Sequence, residues 1–417
     1  MIESFERAGT RSGTLDLSRL LEPVGLERFY AEHFGRAPLV IPRGDATFYD
    51  NLLTTDIDEI LARDDVFYPT IRAYRNGSTV DPQTFTYTYE LGGEFHRDVI
   101  DGGKLLALYE AGATLMFRGV ERYSRAIMAL RAEIETVLGT GTDVSMFVSP
   151  PEAHENIAAH YDGVDNIVLQ ISGRKRWRLW REPYENPLIE QPFCDVSSLA
   201  VDENLIADVV LEPGDLLYTP TGIVHQTDTT NSSSLHVTFG LNVPRWYHLL
   251  SRAALKIFRD VRNDERYRHA LPLPAWVPGV EHDLDSAEYA SLVADLRPRF
   301  ELRDALRVLD DEHFRGKYPS RPGQLTSMAA LGTLDADTRL IVVQTVPIRV
   351  TETTEHCLVE FHDNFLRLPR SAHLLVEAVV SGEPMRIGDL PGPATESSKI
   401  AIAKKLIREG LCVLAQA

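Results

Sequence analysis

A chain of 417 residues is long enough for two or three domains and a sizeable core. Its 44% hydrophobic and 25% charged residues are those of an ordinary globular protein, and a net charge of −18 opposes nonspecific binding to nucleic acid or to an anionic membrane surface. No stretch approaches the roughly 18 apolar residues of a membrane span, and the opening MIESFERAGTRSGT has no basic segment leading into an apolar run, which points to a cytoplasmic protein. Cys194, Cys357 and Cys412 are too scattered for a disulfide framework or a CxxC site and are expected to be reduced core residues.

In chain order, residues 15–35 predict an amphipathic helix, with Leu15, Leu17, Leu20, Leu21, Leu26, Phe29, Tyr30 and Phe34 at roughly helical spacing. A short strand follows between Pro38 and Pro42, then a helix at 53–62, a strand at 84–89 and helices at 103–112 and 122–138. Residues 144–148 predict a strand leading towards His160, with Ser149 and the Pro150-Pro151 break close to whatever His160 builds. Residues 165–180 predict a β-hairpin that turns at Ser172-Gly173, and its second arm alternates Arg174, Arg176 and Arg178 against Lys175, Trp177 and Leu179.

The stretch from His160 to Trp180, HYDGVDNIVLQISGRKRWRLW, carries the chemistry. On a strand, residues two apart share a face, so His160 and Asp162 point one way and Tyr161 the other. A third ligand is expected from LEPGDLLYTPTGIVHQT, residues 211–227, where His225 follows the Pro220 to Gly222 break. Two imidazoles and a carboxylate with open positions form the facial triad of non-haem Fe(II) oxygenases, whereas structural zinc more often takes cysteines and a closed shell. His236, in the alternating strand 234–242, is the competing third ligand. Lys175 sits on the apolar side of its strand, where a cation without an anionic partner would be costly.

The HxD pair, Gly173-Arg174-Lys175-Arg176-Trp177 and the Pro213-Gly214-Asp215 stretch ending in His225 together resemble the JmjC or cupin-like 2-oxoglutarate oxygenases. Within that group the chain is most similar to the ribosomal oxygenases, which hydroxylate protein side chains, and the HYD segment with Asn166 and Lys175 is also similar to the asparaginyl hydroxylase of the hypoxia response. The resemblance implies a mainly β core with helices, a double-stranded β-helix of jelly-roll type, over residues 1–245. It implies Fe(II) held by His160, Asp162 and His225, and 2-oxoglutarate whose far carboxylate meets Lys175. Asn166 matches a polar position near the cosubstrate, and Thr238, on the polar side of its strand, is a further contact expected for it.

Beyond Pro244 the hydrophobic period changes from 2 to 3.6, and residues 246–318 read as helices that the resemblance assigns to dimerisation. Pro319, Pro322, Gly323 and Gly332 mark a boundary, after which 319–417 is similar to the winged-helix domain of ribosomal oxygenases: strands near 340–346 and 357–358, a helix at 370–381, a short element at 387–390, a helix at 395–409 and a strand at 411–414. Residues 321–417 hold ten Lys or Arg against eleven Asp or Glu, so the acid excess lies in 1–320 and suits a basic peptide or protein substrate. The expected activity is hydroxylation of a side chain in a protein or peptide. The alternatives are the same chemistry on a peptide natural product or free amino acid, and a non-enzymatic metal-dependent regulator.

Overall fold

A computed structural model of the chain describes residues 15–53, 57–63, 65–153, 156–191, 194–270, 287–315, 323–343, 348–361 and 364–415. The opening segment 1–14, Pro319, Pro322 and parts of the expected helices at 53–62 and 246–318 lie outside the described residues. The chain folds as two compact units: Met1–Val243 with Ser320–Pro347 and Ser371–Ala417, and Pro244–Pro319 with Ile348–Arg370.

The first unit is built on a nine-stranded sheet among the described residues. Its spatial order is Leu39–Ile41, Leu216–Thr219, Asp165–Trp180, Val224–Asn242, Gly141–Ser149, Thr114–Arg118, Ile71–Arg75 and Ser78–Thr79, with Leu205–Leu211 paired to Asp165–Trp180 outside that path. Two strands of unusual length, Asp165–Trp180 and Val224–Asn242, run antiparallel to one another through both halves. Asp165 to Gln170 pairs with 236–241 and 216–219, whereas Lys175 to Trp180 pairs with 224–229 and with Leu205–Leu211. The expected hairpin at Ser172-Gly173 is therefore corrected to one continuous strand. Gly173 still has a turn-like backbone, φ +63°, and a Cβ there would lie 1.6 Å from the Ser233 carbonyl oxygen. The glycine thus bends the pair where the register slips between Thr229 and Ser234, instead of reversing the chain.

Side-chain alternation sorts this sheet into two faces. Ile167, Leu169, Val144, Met146, Val237, Phe239 and Leu241 belong to one core cluster with Leu17, Leu20, Phe29, Ile127, Leu130 and Ile134. The last three lie at helical spacing on Arg125–Leu138, which Ser124 caps by accepting from the Ile127 amide and which Gly139 ends at φ +62°. On the opposite face Val168 and Leu217 meet Trp177, Leu179, Leu211 and Ile223 from the bent-over half. The residues between the two halves, including 166, 168, 170, 236 and 238 on one wall and 175, 177 and 179 on the other, define the interior.

Other local expectations changed. The helix expected over 15–35 is broken into Leu17–Leu20 and Leu26–Arg28 with a widened turn Phe29–His33, because Pro23 lacks an amide hydrogen and Gly25 takes φ +80°. Cys194 is exposed, not core, whereas Cys357 and Cys412 are buried. Strands 364–369 and 348–352 flank His356–Phe361 in a sheet that groups with the helices of the second unit, not with residues 323–343 and 371–415. In the second unit Leu249 and Ala253 on Trp246–Val261 pack with Ala305 on Leu302–Arg315, while Trp246, Leu250, Leu255, Phe258, Leu302 and Leu306 stay exposed. In the first unit the later segments supply a three-stranded sheet, Met385–Arg386, Arg339–Val342 and Cys412–Leu414, and the helix Glu396–Glu409, which Thr395 caps and Gly410 ends at φ +85°. No helix among the described residues is long and apolar enough to cross a membrane.

Candidate metal centre

His160 and Asp162 come from the irregular segment just before Asp165–Trp180, and His225 is the second residue of Val224–Asn242. Backbone bonds lock the two segments: the His160 amide donates to the His225 carbonyl at 3.1 Å, the His225 amide to the His160 carbonyl at 2.7 Å, and the Gly222 amide to the Asp162 carbonyl at 3.0 Å. Behind them, buried Asp165 accepts from the Tyr218 hydroxyl at 2.5 Å and the Thr221 amide at 3.0 Å, holding the Pro220 to Gly222 break that delivers His225.

One donor atom from each of His160, Asp162 and His225 lies within 4.8 Å of the others. The His160 Nε2 is 3.9 Å from Asp162 Oδ1 and the His225 Nε2 is 3.7 Å from Asp162 Oδ2. Each imidazole has its Nδ1 on a backbone carbonyl oxygen two residues earlier, Ala158 at 2.9 Å and Ile223 at 3.0 Å. Because a carbonyl can only accept, both rings carry their hydrogen on Nδ1 and present a bare Nε2 lone pair to the cluster. Burial, then the nearby His160, pushes the His225 pKa down to about 4, with Asp162 opposing, so this ring is neutral at pH 7 and able to ligate. The chemistry of this donor set, two neutral imidazoles and one carboxylate, fits a divalent metal that keeps open positions.

Asn166 donates from Nδ2 to Asp162 Oδ2 at 2.7 Å, which fixes the carboxylate, so its place in the structure is behind a cluster residue. Thr238 faces the interior beside Val168 and is half-buried. His236 stands apart from the cluster, buried, with its ring stacked on Phe147 at 4.8 Å and edge-on to Trp177 at 5.6 Å. Trp177 lies 5.7 Å from the His225 ring, so it bridges the two histidines. Burial, with Lys175 and His225 adding to it, drives the His236 pKa well below the usual range.

Lys175, opposite Thr229 and Leu211, is 4% exposed and donates to the Ser149 hydroxyl at 2.7 Å. Burial pulls its pKa down to about 8, with Asp228 partly offsetting. Among the described residues no carboxylate pairs with its ammonium, so a buried cation faces the interior with two hydrogens unspent, which fits an anionic cosubstrate. The sequence places Ser149 near the site but carries no signal for Thr114 and Asn156, which stand behind it. Thr114 Oγ1 is 2.9 Å from Ser149 Oγ and receives a bond from Asn156 Nδ2 at 3.1 Å. No local pattern ties residues 114, 149, 156 and 175 together.

The profile of the JmjC domain matches residues 124–249, the segment that contains the cluster and Lys175. Residues 124–249 are thus similar to a JmjC domain. The chain is 26% identical over 450 residues to a bifunctional lysine-specific demethylase and histidyl-hydroxylase NO66 of Aedes aegypti, covering 95% of this chain and 67% of that one. It is 30% identical over 265 residues to ribosomal oxygenase 1 of Gallus gallus, covering 61% and 41%. The chain thus spans about two thirds of the first relative and less than half of the second. The ribosomal oxygenase YcfD of Escherichia coli, solved in complex with cobalt and 2-oxoglutarate, is similar in fold, with a TM-score of 0.55, 17% identity and coverage of 94% of this chain and 98% of that one.

Proposed function

We propose that the protein is an Fe(II)- and 2-oxoglutarate-dependent oxygenase that hydroxylates a side chain of a protein or peptide. One observation carries the reading: the triad His160, Asp162 and His225 and the unpaired Lys175 ammonium belong to one JmjC interior. The relatives named above as hydroxylase and oxygenases, and the cobalt and 2-oxoglutarate bound to YcfD, support the choice of cofactors. When bound, iron and 2-oxoglutarate supply the oxidising chemistry, which turns dioxygen, 2-oxoglutarate and a C–H bond into succinate, carbon dioxide and an alcohol.

The chain's own residues position and exclude. His160, Asp162 and His225 would hold the metal, Asn166 keeps the Asp162 carboxylate oriented, and the carbonyls of Ala158 and Ile223 keep both imidazoles in the ligating tautomer. Lys175 would hold the far carboxylate of 2-oxoglutarate, with Thr238 as a further contact, and Trp177, Phe147 and Leu179 make the interior dry. The side chains of His160 and Asp162 are each 38% exposed, which leaves the metal side open for a substrate side chain.

The net charge of −18 supports a basic peptide or protein partner in the cytoplasm and argues against nucleic acid. The exposed apolar residues of Trp246–Val261 and Leu302–Arg315 support a homodimer formed through the 246–318 segment. The sheet Met385–Arg386, Arg339–Val342 and Cys412–Leu414 with the helix Glu396–Glu409 supports a winged-helix reading of 319–417, although the strands between 348 and 369 group with the helical unit. Incubating candidate basic peptides with the protein, Fe(II) and 2-oxoglutarate tests the function: a gain of one oxygen by mass spectrometry supports it. Absence of both that gain and succinate release contradicts it, leaving the non-enzymatic regulator.

A further inference from the structure

Strand register puts a second exposed element at the metal end of the large sheet. The row Leu169, Val237, Met146, Phe117 and Ile71 crosses that sheet, with Asn166 on its metal side. In Ile71–Arg75 the residue Tyr74 pairs with Thr114 towards the closed end, so the residues before Ile71 run out at the metal end. A two-stranded ribbon, Thr86–Leu91 with Glu94–Ile100, is rooted on those residues. Phe67 bridges Val99, the Tyr68 amide donates to the Asp98 carbonyl at 2.9 Å, and the Ile100 amide donates to the Val66 carbonyl at 2.9 Å.

Beyond that root the ribbon stands alone. Gly92 and Gly93 close it at φ +62° and +87°, and neither strand pairs with a third strand among the described residues. Two strands by themselves are marginal in water, yet this pair keeps Tyr87 38%, Leu91 63% and Phe95 65% exposed. Tyr89 stacks on His96 across the pair at 4.9 Å, which stiffens it. Glu90, Glu94 and Asp98 are exposed on the ribbon against a single base, Arg97, and none of the three has an ion-pair partner among the described residues.

We propose that this ribbon docks an extended basic segment of the protein substrate, added along a free strand edge, and leads it towards the end that carries His160 and Asp162. Side chains of an added strand alternate between the two faces. One face offers Tyr87, Leu91 and Glu94 and the other Phe95 and Glu90, so lysine or arginine on either side meets a ring and a carboxylate together. Charge selects this occupant: a second copy of the chain, at −18, would set carboxylate against carboxylate, and nucleic acid or an anionic membrane is repelled likewise. The inference rests on the oxygenase reading and deepens it by naming where the basic flank of the substrate is held.

The test needs neither iron nor 2-oxoglutarate. A fluorescent oligomer of alternating lysine and threonine is titrated into the full chain and followed by anisotropy, with an oligomer of alternating glutamate and threonine as control. The lysine oligomer alone should bind. Tyr87→Ser with Phe95→Ser should weaken it roughly tenfold, and Glu90→Gln with Glu94→Gln roughly three- to tenfold. Glu355→Gln with Glu383→Gln, the same change of charge at exposed positions outside the ribbon, should leave affinity within about twofold. Unchanged Mn(II) affinity in every variant shows that each has folded. No binding by the wild type, unchanged affinity in both ribbon variants, or an equal loss in the Glu355 and Glu383 variant overturns the docking surface. A ribbon variant that lowers the mass by light scattering also overturns it, since the ribbon would then join two copies. Failure of the oxygenase reading is seen separately, as a wild type that binds the oligomer but releases no succinate when Fe(II) and 2-oxoglutarate are added.

Discussion

The two ends of the interior are built by opposite means. At the metal end the side chains of His160 and Asp162 are each 38% exposed, and what holds their segments is mainly backbone, the paired amides and carbonyls of His160 and His225 and the bond from Gly222 to Asp162, with Asn166 fixing the Asp162 carboxylate. At the lysine end Lys175 is 4% exposed and Ser149 fully buried, and what holds them is a chain of side-chain hydroxyls ending on Asn156. The open end can receive a large partner, such as a peptide side chain, and its geometry survives because backbone pairing does not depend on excluding water. The closed end can distinguish a small anion, because in a dry site each unmatched donor or charge costs far more than at the surface.

The largest losses are expected at the end of the interior that carries His160, Asp162 and His225. His160→Ala, Asp162→Ala and His225→Ala should each abolish Fe(II)-dependent succinate formation, whereas His236→Ala, which lies outside the cluster, should retain measurable turnover. At the lysine end Lys175→Ala should leave the metal bound but weaken 2-oxoglutarate roughly hundredfold or more, since leaving one partner of a buried pair unmatched costs about 3–5 kcal/mol. Lys175→Arg should bind with intermediate affinity, because its longer, forked guanidinium must fit the same space. Direct titration of the cosubstrate reads both.

Solution pH is expected to have a smaller effect. Burial lowers the Lys175 pKa from 10.5 to about 8, so the ammonium is present below that pH and lost above it. Affinity for 2-oxoglutarate should therefore fall as pH rises through about 8, by at most roughly tenfold per unit, and this dependence should disappear in Lys175→Ala. From this group alone, stability rises between about pH 8 and 10.5, where the unfolded lysine still binds a proton that the folded one has released. Titrations between pH 7 and 9.5 in both proteins decide it. Away from the interior, light scattering at micromolar concentration should give a dimer mass, and replacing exposed Leu250 and Phe258 by serine should shift it towards the monomer with little change in cosubstrate affinity.

Much of the interior was legible from strand parity. The alternation of Arg174, Arg176 and Arg178 with Lys175, Trp177 and Leu179 separates outside from inside, and the structure buries the second set. The fold of that stretch was not legible in the same way. Ser172-Gly173 has the composition of a turn, yet what requires the glycine is the Ser233 carbonyl oxygen on a strand 60 residues away, and no local rule contains that contact. The helical spacing of residues 15–35 likewise runs across Pro23 and Gly25, which interrupt the backbone although the apolar stripe continues into the same core. Asn156 and Thr114 were invisible because an asparagine in a loop and a threonine opening a strand carry no pattern until the fold joins them.

One interior is expected to hold a metal at its open end and the far carboxylate of 2-oxoglutarate at its closed end. Anomalous diffraction from crystals grown with Mn(II) and 2-oxoglutarate tests it most directly. A manganese peak shared by Nε2 of His160, Nε2 of His225 and the Asp162 carboxylate is expected, with the ligand's far carboxylate on Lys175. Manganese coordinated by His236 in place of His225, or 2-oxoglutarate bound with Lys175 untouched, would contradict it.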